Sequence, residues 1–192
     1  MNLIVDKNGI SEDEKISIKN SIIENKVFPF YYEISTTSKF PFFVHTLSKR
    51  NNKEVNINSS AYYFFFEILK KFCKKNKIKF KQVIRSAINA TFADHRFAYL
   101  DPHIDFKEDH KVVIMYLNDV YGGEDYNSTL IFNEKYDGTE IYDVQNLKKD
   151  FTIREEIIPE FGKIICFDGA HYHTIKPPYF GEVRFICVFN II

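Results

Sequence analysis

The chain has 192 residues, 45% of them hydrophobic, and no net charge at pH 7, so it can close a single core without disulfides or a metal staple. Its apolar runs are short and broken by charge, well below the roughly 20 residues of a bilayer span. The opening MNLIVDKNGISEDEK lacks the basic start and long apolar stretch of a signal peptide.

In chain order, SEDE at 11–14 forms a capping box, with Ser11 as N-cap and Glu14 three residues on, and predicts a helix to about Asn25. FPFYYEI and KFPFFVHT read as strands or extended segments. Ser59 or Ser60 can cap a second helix, AYYFFFEILKKFCKKN, whose aromatic block is too broad for a solvated helix and should pack on a sheet. Residues 1–85 carry 16 Lys and Arg against 8 Asp and Glu, while 86–192 carry 10 against 18. Much of that positive charge lies in KKFCKKNKIKFK (70–81), which could meet nucleic acid, ribosomal material or another acidic partner. With no stacking or groove-reading motif beside it, the solvated face of a helix is the preferred reading.

From Lys79 onward the texture changes to β-rich runs separated by turns: KFKQVIRSAINATF, KVVIMYLND, STLIFNE, a Pro-Glu-Phe-Gly turn into KIICF, and VRFICVFNI. Helices followed by strands predict an α+β, mainly β layout, with helices bracing a jelly roll whose mouth can hold a small molecule. No repeat or linker divides the chain, so 1–192 reads as one domain, with 1–85 as the helical supporting part and 86–192 as the jelly-roll core. Cys73, Cys166 and Cys187 are odd in number and widely spaced, which fits reduced thiols in a soluble cytoplasmic protein better than a disulfide framework.

DPHIDF (101–106) is a motif short enough to arise by chance. If it is extended, His103 and Asp105 project to one face about 6–7 Å apart, and a histidine with a carboxylate makes two thirds of the facial triad of non-haem iron oxygenases. FDGAHYHTIKPP (167–178) supplies His171 and His173 as candidates for the third ligand. A turn at Asp168-Gly169 starts the strand near Tyr172, which favours His173 and leaves His171 on the rim. Alternation in VRFICVFN sets Arg184, Ile186, Val188 and Asn190 on one face. A guanidinium in that apolar row needs a carboxylate partner, either a protein acid such as Asp168 or Glu182, or a ligand. In KVVIMYLND the phenol of Tyr116 shares a face with Val112 and Ile114 and could give a bound carboxylate a second donor. His45, His95 and His110 have no such company and read as structural or exposed.

The ordered series PHIDF, H-KVVIMYLND, the Gly-Gly turn with STLIFNE, I-PEFGKIICFDG, YH, and PP ahead of VRFICVFN resembles the Fe(II)- and 2-oxoglutarate-dependent dioxygenases. The likeness is strongest to their prolyl 4-hydroxylase-like group, with its phage and bacterial members. The resemblance implies a double-stranded β-helix, that is, a jelly-roll barrel with supporting helices. It implies Fe(II) on His103, Asp105 and His173, and 2-oxoglutarate with its far carboxylate on Arg184 and Tyr116 and with Thr129 lining its pocket. It also implies a hydroxylase that uses O₂ and releases succinate and CO₂, acting on an unidentified protein side chain or small molecule. Two other functions fit the His-Asp-His set: a zinc hydrolase, and a non-catalytic jelly-roll sensor or binding module. A carboxylate clamp beside the metal is superfluous for simple hydrolysis. The loops at 35–40, 92–100 and 138–150 are expected to choose the substrate.

Overall fold

The computed structural model describes residues 2–35, 40–49, 55–93, 98–121, 126–138 and 151–192. After a short strand β1 (Ile4–Asp6), the capping box opens α1 (Glu12–Ile18). The Glu14 backbone N–H donates to the Ser11 hydroxyl, and the Glu14 carboxylate accepts the Ser11 N–H at 2.8 Å. The predicted helical run continues past α1 as a π-helical turn, Lys19–Ile23. In the second helix, α2 (Ala61–Lys75), Ser59 rather than Ser60 does the capping, because the Ala61 N–H reaches the Ser59 Oγ at 3.2 Å and the Ser60 side chain makes no cap bond.

FPFYYEI ends in strand β2 (Tyr31–Ile34), and β3 (Pro41–Lys49) follows, with β4 (Asn56–Ile57) as a short flap on it. The β-rich stretch forms β5 (Val83–Phe92), β6 (Lys111–Tyr116), β7 (Thr129–Lys135), β8 (Ile153–Ile157), β9 (Ile164–Asp168), β10 (His171–Ile175) and β11 (Val183–Ile191). The Pro-Glu-Phe-Gly turn before β9 depends on Gly162, whose φ of +91° suits a residue without a side chain.

Eight strands make an antiparallel sheet in the order β1-β9-β6-β11-β5-β3-β2, with β4 paired to β3. This sheet runs across residue 85, taking strands from both sides of it. A smaller sheet, β10-β7-β8, faces it. Among the described residues the helices pack on the outer face of the large sheet and the two sheets close over each other as a jelly roll. Period-2 alternation decides which side chains go where. On β6, Val113 and Met115 join the helix-side core with Phe65, Ile68 and Phe72 of α2, whereas Val112, Ile114 and Tyr116 face Ile131 of β7 between the sheets. On β11, Cys187 and Phe189 face the helices and Ile186 faces inward. The aromatic block of α2 therefore divides, with Tyr62 and Phe65 buried and Tyr63 60% exposed.

The basic run is largely the solvated face of α2. Lys70 pairs with Glu67, Lys71 with Glu14 and Lys75 with Asp6. No helix among the described residues is long and apolar enough to cross a membrane.

Candidate functional site

The DPHIDF segment runs alongside β10 and adds an edge to the smaller sheet. His103 and His173 exchange backbone hydrogen bonds at 3.0 and 2.9 Å, and Thr174 Oγ1 donates to the Leu100 carbonyl at 2.7 Å. That bridge brings the three predicted metal ligands together. The ligand atoms of His103, Asp105 and His173 all lie within 4.8 Å of one another. Each imidazole points Nδ1 at a backbone carbonyl, His103 at Asp101 and His173 at His171, both at 3.2 Å. A neutral ring donating from Nδ1 keeps its Nε2 lone pair free for a cation. Asp105 Oδ2 accepts the Asn190 amide at 2.7 Å.

The electrostatics favour the ligating forms. Burial pushes His173 down to about 4, and the neighbouring His103 pushes the same way against the pull of Asp105. Burial also acts against the charge on Asp105, but His173, His103, Arg85 and the Asn190 amide outweigh it and hold the carboxyl well below its usual range. A carboxylate beside a neutral imidazole is a donor set suited to a divalent first-row metal.

A cavity of about 380 Å³ opens between the sheets, lined by the three ligands and by Thr129 and Arg184. Arg184 is 1% exposed. Its Nη2 donates to Thr129 Oγ1 at 2.7 Å, and that same oxygen lies 2.7 Å from the Tyr116 hydroxyl. The guanidinium sits against the Tyr116 ring, 5.5 Å from its centroid. Arg184 Nε and Nη1 are buried with no acceptor among the described residues, and burial lowers its pKa as it raises that of Tyr116. Asp168, weighed as a protein partner for Arg184, is engaged by Lys135 at 2.7 Å. Tyr116 is fully buried and meets Arg184 through Thr129.

His171, expected on the rim, is buried instead. A register shift between His171 and His173 sets it apart from the ligand cluster. Its Nδ1 donates to the Phe132 carbonyl and its Nε2 accepts from Arg154, both at 2.8 Å. His45 bridges the Pro29 carbonyl and the Ser59 hydroxyl, and His110 is buried against Gly169. His95, the Gly-Gly turn and nearly all of 138–150 lie outside the described residues, as do parts of the loops at 35–40 and 92–100.

Two residues of the site, Arg85 and Asn89, escape the sequence reading, and a third, Asn190, is placed there in the row of Arg184 but without a role. Asn190 ends the inward row of β11 and holds Asp105, while Arg85 and Asn89 reach the cavity from β5. Alternation in VIRSAINATF places Arg85, Asn89 and Thr91 on one face, but only pairing with β11 turns that face inward.

No family model matches the chain, and no curated protein matches it in sequence. Solved structures do resemble it. An oxidoreductase of the 2OG-Fe(II) oxygenase family from Burkholderia pseudomallei is 13% identical with a TM-score of 0.68, over 98% of this chain and 84% of that one. A prolyl-4-hydroxylase from Pseudomonas putida is 10% identical with a TM-score of 0.61, over 98% and 91%. HygX from Streptomyces hygroscopicus, solved with nickel and 2-oxoglutarate bound, is 8% identical with a TM-score of 0.61, over 98% and 82%. At these identities the likeness is one of fold, and the chain shares its jelly-roll architecture with these enzymes.

Proposed function

We propose that the chain is an Fe(II)- and 2-oxoglutarate-dependent dioxygenase. The observation that carries this reading is Arg184, a buried guanidinium with two unmet donor groups in the same cavity as a His-Asp-His cluster. Leaving such donors unpaired is costly, and their planar fork fits a carboxylate. A zinc hydrolase would have no use for that carboxylate pocket.

His103, Asp105 and His173 would hold the metal, three protein ligands leaving further coordination positions for cosubstrate and oxygen. Iron bound there, with 2-oxoglutarate and O₂, supplies oxidising chemistry that couples release of succinate and CO₂ to hydroxylation of a substrate. Arg184 anchors the far carboxylate of 2-oxoglutarate, and Thr129 and Tyr116 fix the guanidinium from behind. Asn190 keeps the Asp105 carboxylate aimed at the ligand cluster. The apolar walls, Val112, Ile114 and Ile186, keep water from the reacting groups.

The primary substrate is a small molecule or a protein side chain. A nucleic-acid or ribosomal partner has less support, because three lysines of the basic run are already paired with carboxylates. A cytoplasmic location is supported by Cys73, Cys166 and Cys187, all free and buried.

The test is an anaerobic titration of the metal-free chain with Fe(II) and then 2-oxoglutarate, following the weak visible charge-transfer band of chelated iron. The band should require both and be lost in Arg184→Gln at the same cosubstrate concentration. No band from folded, iron-loaded wild-type chain would end the oxygenase reading.

A further inference from the structure

The cavity holds a second guanidinium, which helps keep Asp105 ionised but makes no hydrogen bond or ion pair with the described residues of the metal cluster or the Arg184 pocket. Arg85 lies on the inner face of β5 in the same row as Asn89 and Thr91, and all three line the cavity. Register fixes its place along that row. Arg85 pairs with Asn190, the residue that holds Asp105, whereas Thr91 pairs with Arg184. The two guanidinium-bearing positions are thus three alternations apart on adjacent strands, Arg85 at the metal end and Arg184 at the cosubstrate end.

Arg85 is half-buried and makes no ion pair or hydrogen bond among the described residues. Nearer Arg184, Asn89 Oδ1 is buried and receives no hydrogen bond. The charge of Arg85 acts on Asp105, but its donors stay open to the cavity, and the buried Asn89 acceptor without a donor is costly unless a ligand completes it. Arg184 already provides for one carboxylate, so the second guanidinium calls for a different one. The volume of about 380 Å³ is near the lower end of small-molecule pockets, and Arg85 faces its interior.

We propose that Arg85 recognises a carboxylate on the primary substrate, with Asn89 accepting a hydrogen bond from an N–H or O–H of the same molecule, so that the substrate is a small organic acid. This rests on the oxygenase reading, in which Arg184 is taken by 2-oxoglutarate. Arg85 is then a specificity-determining residue, fixing one end of the substrate beside the metal.

The test uses the full chain saturated with Fe(II) and 2-oxoglutarate under anaerobic conditions. The probes are small carboxylic acids, each paired with its primary amide, and the readout is the thermal midpoint. At least one acid should stabilise the protein where its amide does not. Arg85→Gln should weaken that acid's binding by about tenfold or more, as expected for loss of a charge-assisted pair, and Arg85→Lys should recover part of it. With Fe(II) and 2-oxoglutarate raised to saturation for each variant, the charge-transfer band should still form in both, which also shows that they fold.

Acids and amides that stabilise alike, or none that stabilise, would overturn the proposal. So would full acid affinity in Arg85→Gln. A band lost from Arg85→Gln even at saturating Fe(II) and 2-oxoglutarate would overturn it too, by assigning Arg85 to the metal or cosubstrate site. The band separates the two readings. Its absence from wild type removes the oxygenase and this inference together, whereas a normal band without preference for acids removes this inference alone.

Discussion

Asp105 stays ionised in a buried site because the neighbouring charges, Arg85 among them, and the Asn190 amide together outweigh the loss of water. Asn190 is itself fully buried, so its amide is fixed in place when a metal arrives. Truncating it should weaken metal binding without abolishing it, and we expect Asn190→Ala to lower Fe(II) affinity by roughly 10–100-fold, the usual cost of losing an outer-shell partner. Competition with a metallochromic chelator would measure this, and an unchanged affinity would show that Asn190 is only a packing residue. The two neighbouring histidines should behave differently. His173→Ala should lose the metal, whereas His171→Ala should keep it and instead lose about 1–3 kcal/mol of stability through the orphaned Phe132 carbonyl and Arg154 contacts. Chelator competition beside urea unfolding separates the two effects.

At the scale of elements, α2 gives the large sheet its outer cover. Phe65, Ile68, Leu69 and Phe72 are buried along one side of the helix, and charge occupies the other. Phe65→Ala should cost about 3–5 kcal/mol in urea unfolding, while exposed Lys70→Ala should stay within about 0.5 kcal/mol. A small loss at Phe65 would mean that the sheet does not depend on this cover. The tie between the two helices is electrostatic and should respond to acid. Burial raises the pKa of Glu14, but its bonds to Lys71 and Ser11 outweigh this and leave it below the ordinary 4.5. A carboxyl with a depressed folded value contributes stability above its unfolded value and loses it as pH falls through the folded one. Wild type should therefore exceed Glu14→Gln in stability at neutral pH, and the gap should close as pH drops below 4.5. Urea midpoints of the pair across that range give the answer, and a gap independent of pH would assign the effect to the cap geometry alone.

For the molecule as a whole, the metal ligands come from two stretches of chain some seventy residues apart and meet only when the DPHIDF segment lies against β10. Metal should therefore bind the folded state far better than the unfolded one. Fe(II) at 100 times its Kd should raise stability by about 2.7 kcal/mol, with no gain in Asp105→Ala. Equal stabilisation of both proteins would place the metal elsewhere. The sequence alone determined the capping box at Ser11, the strand alternation of β6 and β11, and the order of the His-x-Asp, His and Arg signals, because these depend on local hydrogen bonding and a two-residue period. It left His171 misplaced, since a register shift is a property of two paired strands rather than of one. Arg85 and Asn89 were equally hidden, because alternation assigns side chains to a face but not that face to the interior, and Asn190, placed in the row of Arg184, had no visible partner. Only the pairing of β5 with β11, and the closure of one sheet over the other, turned that face onto the cavity.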